Sequence, residues 1–205
     1  SGNGNDGTLV NELSASDDRF SVSGKAAMFT GNQFLKTPEF GGEDITVSLW
    51  YKTNRDVAED PEFYGNLIDS GANRHPLVLD QRDMKLGYWD SAWQKADYIM
   101  PKARWVNLVM VASSSNWKLY ADGSIIGEKN NYFGNQNDPV KGFGNYVNTG
   151  AASPQGAIDD IRIYNRALSN SEVAALYELE KPKVTLETGL VAYYPFNGNA
   201  NDESG

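Results

Sequence analysis

Apolar and polar residues alternate in short runs along most of this chain, and the runs are separated by turn residues. The period is two, which puts successive side chains on opposite faces of a strand. Residues 45–51 (ITVSLWY) show it best. Ile45, Val47, Leu49 and Tyr51 share one face; Thr46, Ser48 and Trp50 share the other. Residues 26–29 and 34–37 flank the turn Thr30-Gly31-Asn32 and predict a hairpin. Further short strands are predicted at 63–68, 77–79, 84–89 and 98–100. Residues 105–112 (WVNLVMVA) are apolar on both faces, as a strand covered on both sides requires. Residues 117–120 and 125–126 are joined through Asp122-Gly123, a tight hairpin signal. Residues 157–164 (AIDDIRIY) form a last strand, with Asp159, Ile161 and Ile163 on one face and Asp160, Arg162 and Tyr164 on the other. If the isoleucine face is the core, Asp159 needs a partner there: a backbone N–H, an arginine or a cation.

One helix is predicted, after the last strand. Ser169 is an N-cap, Glu172 completes a capping box, and Leu168 and Val173 are spaced for a hydrophobic staple. Pro182 and the charges around it end the helix in a linker. Residues 1–24 read as loop apart from Leu9-Val10, and residues 129–156 read as one long loop. Many short strands and a single late helix predict an all-β, two-sheet antiparallel sandwich of the jelly-roll kind.

Composition narrows the function. The 205 residues suit one large β domain, and five Trp and eleven Tyr suit strands. A net charge of −9 with no basic cluster argues against nucleic acid. No run approaches the ~18 apolar residues of a membrane span, so no membrane insertion is expected. With no cysteine there is no disulfide, thiolate metal site or cysteine nucleophile. His75 is the sole histidine, there is no Gly-x-Ser-x-Gly, and Asp159 and Asp160 are adjacent, which on a regular strand sends them to opposite faces. No catalytic constellation is read, and no enzyme is expected.

The two ends share a phrase. Residues 189–205 (GLVAYYPFNGNANDESG) run into SGNGNDGT when Ser204-Gly205 is laid over Ser1-Gly2, which predicts one unit of a tandem repeat cut inside a loop. The units expected are a sandwich over 1–180, a linker over 181–188, and a strand segment over 189–205 that completes this domain in circularly permuted form or starts the next repeat. A linker of roughly ten residues spans about 30 Å, enough for self-docking, which is the expectation; the alternative is donation of the segment to the next copy.

With residues 156–177 in view (AIDDIRIYNRALSNSEVAALY after Gly156), the chain resembles the LamG-like jelly-roll family of the concanavalin A-like lectin/glucanase superfamily. GKAAMFTGNQFLKTP, ITVSLWYKT, RWVNLVMVA and WKLYADGSIIG resemble its hairpin and central strands. The resemblance implies two antiparallel sheets of six or seven strands and an opening strand that sits here at 189–196. It also implies a structural Ca²⁺, with Asp202, Asn3 and Asn5 as ligands and Asp159 or Asp160 as a second carboxylate. The alternative is Asp202 in an Asx turn and the Asp pair as hydrogen-bond partners at the strand edge. The glucanase motif Glu-x-Asp-x-x-Glu does not occur.

Sandwiches that recognise sugars use exposed aromatics beside polar side chains. The candidates are Trp89, Asp90 and Trp93 in YWDSAW, with Gln94 nearby, and Tyr132, Phe133 and Tyr146 in the long loop, with Asn135 and Asn145. Each of these aromatics has the alternative role of anchoring a loop or packing the sandwich. The expectation is a non-catalytic binding or adhesion module of a secreted or cell-surface, multidomain bacterial protein. Its expected partner is a glycan or a cell-surface protein. The alternative is a structural spacer that exchanges strands with neighbouring copies of the same repeat.

Overall fold

A computed structural model describes residues 4–41, 44–56, 64–71, 74–90, 92–113, 116–130, 139–183, 189–196 and 198–203, the side chains of residues 74 and 90 excepted. Its strands, in chain order, are β1 (Thr8–Val10), β2 (Ser14–Ser16), β3 (Ala26–Phe29), β4 (Phe34–Phe40), β5 (Ile45–Thr53), β6 (Tyr64–Asp69) and β7 (Arg74–Asp80). They continue with β8 (Lys85–Asp90), β9 (Trp93–Ile99), β10 (Val106–Ala112), β11 (Asn116–Ala121), β12 (Ser124–Asn130), β13 (Val140–Phe143) and β14 (Gly156–Tyr164), followed by helix α1 (Asn170–Glu180). The fold is an all-β jelly-roll sandwich of two seven-stranded sheets. One runs β1-β4-β13-β6-β7-β8-β9 and the other β12-β11-β10-β5-β14-β3-β2. All their ladders are antiparallel.

The core lies between the sheets and follows the alternation. Ile45, Val47, Leu49 and Tyr51 of β5 meet Leu77, Leu79, Leu86 and Tyr88 of the facing sheet. Tyr51 is fully buried; its hydroxyl donates to the Pro154 carbonyl, and burial pushes its ionisation well above the ordinary tyrosine range. The outer face of β5 is covered by α1. Trp50 stacks on Tyr177 and donates its indole N–H to Glu180 Oε2 at 2.9 Å. Thr46 Oγ1 donates to the Arg166 carbonyl and accepts from Leu168 N–H. Val109, Val111 and Tyr120 pack with Leu168 and Val173 in a second, smaller cluster. That cluster is why β10 is apolar on both faces. Ser169 and Glu172 form the capping box. The β11–β12 turn has Asp122 at φ +49° and Gly123 at φ +76°, the left-handed pair of a tight hairpin.

Three expectations are corrected. Residues 26–29 and 34–37 do not pair, because β3 belongs to one sheet and β4 to the other. The turn between them is a corner of the sandwich, with Phe29 and Phe34 both buried. Residues 129–156 are not all loop, because β13 lies inside sheet one between β4 and β6. Its backbone runs so close to β4 that a Cβ at Gly142 would meet the Leu35 carbonyl oxygen at 2.4 Å. Asp159 and Asp160 do not diverge. The β5–β14 register shifts between Asp159 and Arg162, and Asp160 takes φ +45°. That bulge turns both carboxylates toward Arg19.

Residues 189–196 join no strand in this structure. Val191 is 90% exposed and Phe196 75%. Tyr193 N–H donates to Asp202 Oδ1 and its carbonyl accepts from Glu203 N–H, so the segment closes a turn with residues that follow it.

Candidate functional site

A cavity of about 200 Å³ opens on the outer face of β6 to β9, lined by Tyr64, Asn66, His75, Trp89, Trp93, Tyr146 and Ala152. The pleat explains the grouping. Leu86 and Tyr88 point into the core, so Trp89 points out. The ladder sets Trp89 opposite both His75 and Trp93. Trp89 and Trp93 meet edge to face with centroids 5.3 Å apart, and Trp93 stacks on Tyr64 at 4.5 Å. Trp93 Nε1 is buried and has no hydrogen-bond partner among the described residues.

The floor is a polar network around Asp69, which is fully buried. Its Oδ1 accepts from Asn66 Nδ2 at 3.0 Å and lies 2.7 Å from His75 Nδ1. Its Oδ2 accepts the backbone N–H groups of Gly71 and Val147, both at 3.0 Å. Four donors thus stabilise one buried carboxylate. A carboxylate oxygen only accepts, so the short contact assigns the proton on His75 to Nδ1. Nε2 is the nitrogen left for other partners.

The far wall is Tyr146, whose ring meets His75 edge-on at 5.2 Å. Asn145 pins this segment. Its Nδ2 donates to the carbonyls of Gly31 and Gln33, and its Oδ1 accepts from the N–H groups of Tyr146 and Ala152. The backbone N–H of Asn66 donates to the Ala152 carbonyl at 2.9 Å. The cavity is therefore held by strands on one side and a hydrogen-bonded loop on the other. Beside it, Asp80 is buried between Arg82 and Lys95. Burial pushes the Asp80 carboxyl up, but hydrogen bonds from Arg82 and Lys95 win and hold it at about 2.

Of the sugar-contact candidates, Trp89, Trp93 and Tyr146 come together here. Asn145 is buried and its amide is committed to the loop. Gln94 pairs with Tyr88 on the opposite face of β9 from Trp93. Tyr132, Phe133 and Asn135 and the Asp90 side chain lie outside the described residues. Tyr64, Asn66, Asp69 and His75 were not foreseen. The outward spacing of Tyr64 and Asn66 on β6 was a usable signal, but register shifts after Asn66 and His75 break the alternation.

Of the residues proposed for Ca²⁺, Asp159 and Asp160 are engaged by an arginine. Arg19 Nη1 and Nη2 sit 2.8 Å from Asp159 Oδ2 and Asp160 Oδ2, and Arg19 Nε donates to the Glu180 carbonyl. The guanidinium already neutralises the carboxylates a cation would need. Burial, then repulsion from Asp160, pushes the Asp159 carboxyl upward, with Arg19 offsetting part of it. Asp202 accepts from Tyr193 in its own turn, Asn5 is exposed, and Asn3 lies outside the described residues. Among the described residues no group of three His, Asp or Glu side chains is placed to hold a metal ion.

A family model described as the concanavalin A-like lectin/glucanases superfamily matches residues 25–174. The chain belongs to this superfamily. Solved structures share its concanavalin A-like fold. Domain 4 of AbnA, an extracellular GH43 arabinanase from Geobacillus stearothermophilus, was solved with arabinotriose. It superposes with a TM-score of 0.61 at 22% identity, over 83% of this chain and 87% of that one. The ligand-binding domain of botulinum neurotoxin serotype D, solved with N-acetylneuraminic acid, superposes at 0.63 with 14% identity, over 87% of this chain and 47% of that one. The binding domain of Paraclostridial Mosquitocidal Protein 1 superposes at 0.60 with 19% identity, over 86% and 48%. This concanavalin A-like chain thus spans about half the length of the latter two domains. At these identities the likeness is one of fold. No curated protein matches the chain.

Proposed function

We propose that this chain is a non-catalytic carbohydrate-binding module of a secreted or cell-surface protein, and that it takes one sugar residue in the cavity over β6 to β9. The observation that carries the reading is the aromatic enclosure formed by Tyr64, Trp89, Trp93 and Tyr146 around a polar floor of Asn66 and His75. Sugars present C–H faces that pack on aromatic rings and hydroxyls that need hydrogen bonds, and this cavity offers both. At about 200 Å³ it lies below the ~300–1,000 Å³ of pockets that engulf drug-sized ligands, which suits one ring or a chain end. The Asp69 network fixes the His75 tautomer, so Nε2 meets a hydroxyl as an acceptor when the ring is neutral.

Two further observations support the reading. Among the described residues the one carboxylate at the cavity, Asp69, lies buried beneath the floor and is held by four donors, whereas a retaining glycosidase needs two carboxylates about 5 Å apart at the sugar. Domains of the same fold were solved with arabinotriose and with N-acetylneuraminic acid, and one is part of an extracellular enzyme. A glycan array that includes arabino-oligosaccharides and sialylated glycans tests the proposal, followed by titration of each hit against tryptophan fluorescence. The expected result is a hit that quenches or shifts emission and disappears in Trp89→Ala. An array without hits, or hits that Trp89→Ala retains, sinks it.

A further inference from the structure

Strand β14 is paired on only part of its length. Toward β5 it is laddered from Gly156 to Tyr164, but toward β3 the ladder covers only Gly156 to Ile158. From Asp159 to Tyr164 that edge meets no strand among the described residues. Two adjoining cavities of about 500 Å³ lie along it and open between the two sheets. Ile161 and Ile163 of β14 form one wall and Phe40 of β4 faces them, with Leu35 and Phe143 deeper in. Thr37 Oγ1 also lines this groove and is buried without a hydrogen-bond partner among the described residues. An unpaired edge, an open channel walled by isoleucine and phenylalanine among polar neighbours, and an orphaned hydroxyl are what a sandwich shows when a strand is missing from it.

The same chain carries a strand-like segment that it does not use. Residues 190–196 (LVAYYPF) are apolar throughout and free of charge, with a length typical of one strand. In this structure they form no strand, and Leu190, Val191, Tyr193, Tyr194 and Phe196 are exposed. A groove that lacks a strand and a segment that lacks a sheet thus coexist on one molecule without meeting. Both deficits are removed at once if they meet between molecules.

We infer that the groove along β14 takes residues 190–196 of a second copy of this chain as an added strand. Backbone hydrogen bonds to the free edge from Asp159 to Tyr164 supply affinity. The apolar side chains of one face of the segment fill the channel between Ile163 and Phe40. The donor and acceptor surfaces are different patches, so the contact is head-to-tail. One-way donation builds open chains or larger rings, and reciprocal exchange between two copies closes a swapped dimer.

The chain has no cysteine, which makes site-directed cross-linking clean. Asn165, exposed at the end of the groove, and Ala192, exposed in the segment, are changed together to Asn165→Cys and Ala192→Cys in the full chain. A short bismaleimide is added over a hundredfold range of protein concentration, and products are read on a denaturing gel. The expected result is a ladder of covalent dimers and higher species that strengthens with concentration. Tyr194→Asp, which changes an exposed residue and leaves the sandwich intact, should abolish that ladder. Each single-cysteine variant should give no more than background. An internal cross-link at every concentration overturns the proposal, because the segment then docks in its own domain. Absence of both products, or a covalent dimer from Ala192→Cys alone as strong as that from the double variant, also overturns it.

Discussion

His75 Nδ1 lies 2.7 Å from Asp69 Oδ1, and the same carboxylate holds the backbone N–H groups of Gly71 and Val147. One buried charge therefore orients the ring at the cavity floor and ties down the loop that carries Tyr146. Replacing it separates stability from binding. Asp69→Asn keeps the shape but turns one accepting oxygen into a donor that faces other donors. We expect a loss of about 1–3 kcal/mol in urea denaturation, the usual consequence of leaving buried hydrogen-bonding groups unmatched. His75→Gln keeps a polar side chain at a partly exposed position. It should cost less stability and weaken sugar binding more.

The aromatic walls make a second prediction. Trp89 and Tyr146 are only partly buried and line the cavity. Trp89→Ala and Tyr146→Ala should each raise the Kd of a glycan hit at least tenfold, equivalent to about 1.4 kcal/mol. Titration calorimetry reads the change, and circular dichroism checks that the sandwich is intact. Phe133→Ala, in the loop expectation but outside the described residues, is a useful comparison.

Acid should act through Asp80. Its carboxyl is held at about 2, below the ordinary aspartate value of about 3.9. A depressed folded value means that the stabilisation is fully present above the unfolded value and is lost as pH falls through the folded one. Stability attributable to Arg82–Asp80–Lys95 should therefore be complete at pH 5 and decline between about pH 4 and pH 2. Asp80→Asn should lower stability at pH 7 and flatten the curve in that window. Denaturation midpoints at pH 2, 3, 4 and 7 give the comparison. Equal slopes in the two proteins would show that other carboxylates set the acid limit.

Arg19 stands where a cation was expected, its two terminal nitrogens on Asp159 and Asp160. It also joins the helix end to the sheet, through the Glu180 carbonyl and the face of Trp50 at 4.9 Å. EDTA should leave the thermal midpoint unchanged. Arg19→Ala should cost about 3 kcal/mol, at the low end of what breaking a buried pair costs because Asp160 remains half-exposed. A fall of several degrees with EDTA would restore the calcium expectation.

A smaller prediction concerns the helix. Ser169→Ala removes the acceptor for Glu172 N–H and one half of the capping box. The expected cost is about 0.5–2 kcal/mol, read as a lower melting temperature.

Most of the fold was legible from local pattern. Alternation in residues 45–51 placed Ile45, Val47, Leu49 and Tyr51 in the core, because a pleated strand sends neighbours to opposite faces. The two-sided apolarity of β10 required cover on both faces, and α1 supplies the second. The capping box and the Asp-Gly turn are short-range devices whose geometry is set within four residues, and both formed as written. For the site, YWDSAW announced two of the four aromatics.

Tertiary structure decided what lies between elements. Which sheet receives β3 and which β4 depends on long-range pairing, and a Thr-Gly-Asn turn serves a corner as well as a hairpin. Four-residue β13 carries too little pattern to be read, and only its neighbours β4 and β6 make it a strand. The partners of Asp159 and Asp160 depended on a bulge and on an arginine about 140 residues away. Likewise the polar floor of the cavity joins Asp69, His75 and Val147, which meet only because β6, β7 and the loop after β13 are neighbours in space. Residue patterns specify faces and turns because those are set by bonded geometry. Which charges meet is set by the packing of distant segments, and no local pattern encodes it.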